Sequence, residues 1–121
     1  MRMFSRIRLR KLINEFLVQC ILHPQYSVGV FLNSNNHMNT VYREIIKSMP
    51  QNEIEKEYHS IENQIRIKLT NGSSIDIFSG ITYGCMRRYS TLIYDKSLNH
   101  DYINTVIRCL ALTKRLYKVQ F

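Results

Sequence analysis

Between residues 65 and 77 the side chains alternate strictly. Ile65, Ile67 and Leu69 interleave with Arg66 and Lys68, Thr70-Asn71-Gly72-Ser73 follows, and Ile75 and Ile77 then interleave with Asp76. A period of two is the period of an extended strand with one buried face, and Asn-Gly tolerates the positive φ angles of a tight strand-to-strand connection. The stretch predicts a β-hairpin.

The flanks follow a different period. From Arg6 to Leu22, the residues Ile7, Leu9, Leu12, Ile13, Phe16, Leu17, Cys20 and Ile21 recur at steps of three and four. That spacing predicts a helix, which His23-Pro24 ends because proline disfavours helix at the residue before it. Tyr26 to Leu32 is short and mostly apolar and runs into Asn33-Ser34-Asn35-Asn36, so it reads as a buried strand followed by a loop. A helix is expected from about Met38 to Met49, stopped by Pro50, and Glu53 to Tyr58 reads as helical or irregular. Gly80 to Arg88 carries two glycines and reads as a loop. Thr91 to Tyr94 reads as a short buried strand ending at Asp95, Asp101 to Thr113 as a helix, and Leu116 to Phe121 as a final strand. Helices alternating with short apolar strands predict a three-layer α/β domain, its sheet largely parallel with a β-hairpin insertion.

The 121 residues are expected to form a single domain over 1–121, with no internal repeat and no linker. A hydrophobic content of 45% excludes disorder on composition. The longest apolar run, Phe16 to Leu22, is broken by Gln19 and falls far short of the roughly 20 residues of a membrane span. Met1-Arg2-Met3-Phe4-Ser5-Arg6 has a charged start with no uninterrupted apolar stretch behind it, so no secretory signal is expected. Cys20, Cys85 and Cys109 are odd in number and unrelated in spacing, which suggests reduced thiols and a cytoplasmic location. His23, His37, His59 and His100 lack the paired spacing of a zinc site, and no metal site is expected.

Charge narrows the function. Seventeen Lys and Arg against nine Asp and Glu give a net charge of +8, which attracts polyanions, nucleic acid first among them. The positives are segregated: Arg2, Arg6, Arg8, Arg10 and Lys11 precede the first acid, Arg87-Arg88 form a second cluster, and Arg108, Lys114, Arg115 and Lys118 a third. Arg6, Arg8, Arg10, Lys11, Arg87 and Arg88 are the candidate contacts to nucleic-acid phosphates, and such contacts carry no sequence preference.

One further local feature is Leu92-Ile93-Tyr94-Asp95, a strand running into an acid. A carboxylate at the carboxyl end of a buried strand is where phosphate-handling α/β proteins hold magnesium, and it is also a common turn or cap residue. Around it the pieces fall in a particular order. Ile67-Lys68-Leu69-Thr70-Asn71-Gly72-Ser73-Ser74-Ile75 leads through Gly80, Gly84 and Arg88 to Leu92-Ile93-Tyr94-Asp95-Lys96. The stretch from Tyr102-Ile103-Asn104 to Leu110 comes next, and then Tyr117-Lys118-Val119-Gln120-Phe121.

In order and spacing this resembles the ATPase domain of phage terminase large subunits, a P-loop-NTPase-like fold that packages viral DNA. The resemblance implies that Lys11 and Asp95 stand at the two poles of a nucleotide site. Arg10 replaces a loop glycine, however, Leu12 replaces the magnesium-binding Ser/Thr, Met86 replaces a glycine of the Arg-bearing loop, and Lys96 stands where a catalytic glutamate belongs. The implied site is therefore degenerate, with no catalytic residue and no resident cofactor, ATP with magnesium being the pair the resemblance would allow. Asp95 would then cap the segment after it or pair with a neighbouring base. The expected function is that of a small phage- or virus-type protein that binds DNA or a DNA-packaging machine without hydrolysing ATP. The alternatives are a protein-binding inhibitor or assembly factor on the same scaffold, or a fragment of an active packaging ATPase. No membrane partner is expected.

Overall fold

A computed structural model of the chain describes residues 3–60, 64–80, 87–112 and 115–121, with side chains from Arg8 onward. Helix α1 (Met3–Leu22) leads into strand β1 (Ser27–Leu32), and helix α2 (Asn35–Ser48) follows. Strands β2 (Ile54–Ser60), β3 (Gln64–Leu69) and β4 (Ser74–Ser79) come next, then β5 (Thr91–Asp95). A helical segment, α3, comprises His100–Tyr102, a π-type turn at Ile103–Ile107, and Arg108–Leu110; strand β6 (Leu116–Val119) closes the order. The strands form one sheet in the order β2-β3-β4-β1-β5-β6. The pairs β4–β1, β1–β5 and β5–β6 are parallel, and β2–β3 and β3–β4 are antiparallel. The fold is a mixed α/β with a mostly parallel sheet, as the alternation of periods predicts.

The sheet separates two apolar layers. Val28, Val30, Leu32, Ile65, Ile67, Leu69, Ile75, Ile77 and Ile93 face α1 and α2. There they meet Leu9, Ile13, Phe16, Leu17 and Cys20 of α1 with Met38, Val41 and Ile45 of α2. On the opposite face Phe31, Phe78, Leu92 and Tyr94 pack with Tyr89 and with Leu98, Tyr102, Ile103 and Ile107 of the α3 region. Each fully buried Ile or Leu contributes about 1.5–3 kcal/mol, so both layers are substantial.

The hairpin turn does more than reverse the chain. Gly72 adopts φ 89°, the left-handed region the Asn-Gly pair predicts. Asn71 Nδ2 donates to the Cys20 carbonyl at 2.8 Å, and the buried Ser73 hydroxyl lies 2.9 Å from the carbonyls of both Cys20 and His23. These groups satisfy carbonyls that the end of α1 leaves without helical partners. The β3–β4 turn therefore fixes where α1 stops.

Sequence and structure part at Glu53 to Tyr58. The expectation of helical or irregular chain fails there, because Ile54–Ser60 is strand β2, antiparallel to β3 with a register irregularity between Ile54 and Lys56. β2 is an edge strand with mostly exposed side chains, so it has no alternating apolar face to betray it. Helix α2 also starts earlier than its apolar residues suggest, because the Ser34 side chain accepts the His37 N–H and caps the helix ahead of Asn35. Thr113, Gly84, Cys85 and Met86 lie outside the described residues.

On its helical side β2 carries a polar cluster. The Tyr42 hydroxyl of α2 donates to Glu57 Oε1, His59 Nε2 stands 3.1 Å from the same oxygen, and the Tyr42 and His59 rings meet edge to face at 5.1 Å. The Tyr42 hydrogen bond, and then His59, hold the Glu57 carboxyl below its ordinary value of 4.5. Burial and the same bond push the Tyr42 phenol up to about 12. A lowered carboxylate contributes stability that is complete above its unfolded value and is lost as pH falls through the folded one. Tyr42→Phe is therefore expected to cost about 1 kcal/mol at neutral pH. The deficit should shrink as pH falls below 4.5, a change that thermal melts at several pH values will read.

Candidate nucleic-acid interface

The first turns of α1 bury Leu9 and Ile13 against the sheet and turn Arg8 and Lys11 outward. Beside them run β6 and the residues after it. Together Arg8, Lys11, Leu12 and Glu15 of α1, Lys96 after β5, and residues 116–121 line a groove of about 670 Å³. Four cations, Arg8, Lys11, Lys96 and Lys118, face it against the single carboxylate of Glu15. The groove runs along the edge strand β6 and reaches the carboxyl ends of two parallel strands, since Lys96 directly follows β5 and Gln120 and Phe121 follow β6.

Asp95 ends β5 and is only 2% exposed. Its Oδ1 accepts the Ser97 N–H at 2.9 Å and the Ser97 hydroxyl at 2.7 Å, which closes the turn after the strand. Its Oδ2 faces His37 Nδ1 at 3.5 Å. Neither of those two atoms has a hydrogen-bond partner among the described residues. The His37 ring in turn stacks on Phe121 with centroids 4.1 Å apart, and Asn33 Nδ2 donates to Ser97 Oγ at 3.0 Å. The crevice between the ends of β1 and β5 is thus occupied by the chain's own side chains. Asp95 serves the turn and faces a base, the structural role the sequence suggests for it. Among the described residues no group of three or more His, Cys, Asp or Glu is placed to hold a metal ion.

The six candidate phosphate contacts divide. Arg8 and Lys11 share the groove with Lys96, the neighbour of Asp95. Arg10 points elsewhere on α1 and pairs with Glu44 of α2 at 3.3 Å. Arg6 lies within α1, and its side chain falls outside the description. Arg87 stands on the opposite face of the sheet, its Nη1 3.8 Å from Asp76 Oδ2. Arg88 is exposed, and its carbonyl accepts the Ser27 hydroxyl at 3.3 Å. Arg8 and Lys11 therefore lie on a different surface from Arg87. Lys118 belongs to the C-terminal cluster visible in the sequence, whereas the place of Lys96 in the groove is visible only once β5 and β6 pair.

Comparison with protein-family models, with curated proteins and with solved structures finds no match. No helix among the described residues is long and apolar enough to cross a membrane.

Proposed function

We propose that this chain is a nucleic-acid-binding domain that grips the phosphate backbone of duplex DNA in the groove between α1 and β6, without hydrolysing ATP. The observation that carries this reading is the set of four cations facing one side-chain carboxylate in the groove between α1 and β6. Cations so placed neutralise phosphates and release counterions, which gives sequence-independent affinity. The parallel block β4-β1-β5-β6, with Asp95 at the end of β5, agrees with an α/β scaffold of the P-loop kind. Lys11, however, lies inside α1 ahead of the first strand and not on a loop after one, so its role in this reading is a phosphate contact of the groove. Lys96 beside Asp95, and the bonding of Asp95 Oδ1 to Ser97, argue against activation of a water there.

The test is fluorescence anisotropy of labelled duplex DNA with the intact chain and with Lys11→Glu and Lys118→Glu. Both side chains lie at the surface of the groove, so the variants are expected to fold normally. Each should weaken binding about tenfold at low salt and reduce the salt slope by about one. Unchanged affinity in both variants overturns the groove as the site.

A second reading rests on a different observation. Val18, Ile21 and Leu22 are 50%, 42% and 65% exposed and share one side of the last turns of α1. This apolar strip supports a protein-binding inhibitor or assembly factor, whose association would respond little to salt.

A further inference from the structure

Among the described residues, the α3 region covers the face of the sheet opposite α1 and α2 over only part of its width. Strand register places the rest side by side. Lys56 of β2 stands opposite Lys68 of β3, which stands opposite Ser74 of β4; Tyr58 stands opposite Arg66, which stands opposite Asp76. Because Ile65, Ile67 and Leu69 point toward α1 and α2, Arg66 and Lys68 point away from them. Tyr58, Ser60, Gln64, Arg66, Lys68 and Ser74, with Gly72 and Arg87, line a trough of about 560 Å³.

Three features of this trough point to a ligand. Its charged lining is Arg66, Lys68 and Arg87, with Lys56 next to it, and the nearby carboxylate of Asp76 is wholly buried. Arg66 is held in place by Asp76 through bonds of 2.7 and 3.2 Å while remaining 39% exposed, so a cation is presented in a fixed position. Ser74 is only 3% exposed, lines the trough, and its Oγ has no hydrogen-bond partner among the described residues. A buried hydroxyl without a partner is costly, and an anion in the trough would satisfy it.

We infer that this trough on the sheet face binds a short segment of single-stranded nucleic acid, with phosphates on Lys68, Arg66 and the Ser74 hydroxyl and a base on Tyr58. Tyr58 is 45% exposed, and its ring lies under the Lys56 ammonium at 4.8 Å. An exposed aromatic ring among cations on a strand surface is a stacking platform for an unpaired base, which a duplex keeps inside its own stack. The weak exposed contact from Lys56 is readily exchanged for a base, and its ammonium then moves to a phosphate. Alternate residues of one strand, such as Arg66 and Lys68, stand on the order of 7 Å apart, which suits successive phosphates of an extended strand. The surface lies on the face of the sheet opposite α1, so the inference stands or falls separately from the groove.

The test is binding of a labelled oligothymidylate of about a dozen nucleotides to the intact chain, with circular dichroism confirming that each variant folds. Lys68→Glu is expected to weaken binding about tenfold or more, and Tyr58→Ala about five- to fiftyfold, while Tyr58→Phe retains affinity. Ser74→Ala should lose affinity a few-fold without loss of stability, since the hydroxyl has no partner to forfeit among the described residues. Because the groove cations also attract the phosphates of a single strand, the losses from Lys68→Glu and Tyr58→Ala should persist in a Lys11→Glu/Lys118→Glu background, where the groove contacts are removed. The proposal is overturned if the wild-type chain does not bind the oligonucleotide at low salt, or if Lys68→Glu and Tyr58→Ala bind as wild type does. It is equally overturned if duplex DNA or polyglutamate competes as well as unlabelled oligothymidylate, because the trough is then a general anion patch.

Discussion

Replacing Asp76 by alanine is expected to lower the stability of the fold by about 3 kcal/mol. Asp76 sits in the middle of β4 and is fully buried, yet it carries a carboxylate. Arg66 binds both of its oxygens, the Tyr89 hydroxyl donates to Oδ2 at 2.8 Å, and Arg87 approaches the same oxygen at 3.8 Å. Alanine removes all of these contacts and leaves a void beneath them. The side chains of Arg66 and Arg87 are 39% and 41% exposed, so both cations can relax into water, which keeps the cost at the low end of that for breaking a buried pair. Asp76→Asn retains the volume and loses the charge, and should show most of the effect. In an Arg66→Met background the same Asp76→Ala change should cost about 1–2 kcal/mol less, since the shared bonds are already gone. Urea unfolding with a constant m-value checks both figures, and an effect of Asp76→Ala below about 1 kcal/mol would show that the cluster does not hold the sheet together.

Gly29→Ala should be as damaging, for a purely steric reason. A Cβ at Gly29 would lie 2.6–2.8 Å from Cδ2, Cγ and Cε2 of the Tyr89 ring, well inside contact distance. That ring is 1% exposed, meets Phe31 edge to face at 6.0 Å, and is tethered at its hydroxyl to Asp76. It cannot withdraw without loosening the second apolar layer and the Asp76 cluster together. The expected loss is about 3 kcal/mol, at the upper end of ordinary overpacking. The same substitution in a Tyr89→Ala background should cost little, because the space is then free. A full penalty in that background would move the cause from the ring to the backbone of β1.

Much of the architecture was legible in the sequence because most elements announce themselves locally. The hairpin is written in the alternation around Asn71-Gly72, α1 in its stripe from Leu9 to Cys20, and β1 and β5 in short apolar runs. β2 was not legible, since an edge strand with one packed neighbour needs few apolar residues. The site was less legible still. Arg8 and Lys118 stand near opposite ends of the chain and meet only because β6 pairs with β5 under α1. Arg87, in the segment ahead of β5, reaches Asp76 on the other face, away from the α1 cations with which charge alone would group it. Asp76 reads as the solvent-facing member of an alternating strand, but in the fold Tyr89 and Arg66 bind it and it is fully buried.

The central claim is that the groove between α1 and β6 binds DNA through its phosphates, and the salt dependence of duplex binding tests it most directly. With three to four phosphate contacts from Arg8, Lys11, Lys96 and Lys118, the logarithm of the binding constant should fall against the logarithm of salt with a slope of about −3. A slope near zero, or no duplex binding at low ionic strength, would contradict the account and direct attention to the exposed Val18, Ile21 and Leu22 strip as a protein contact.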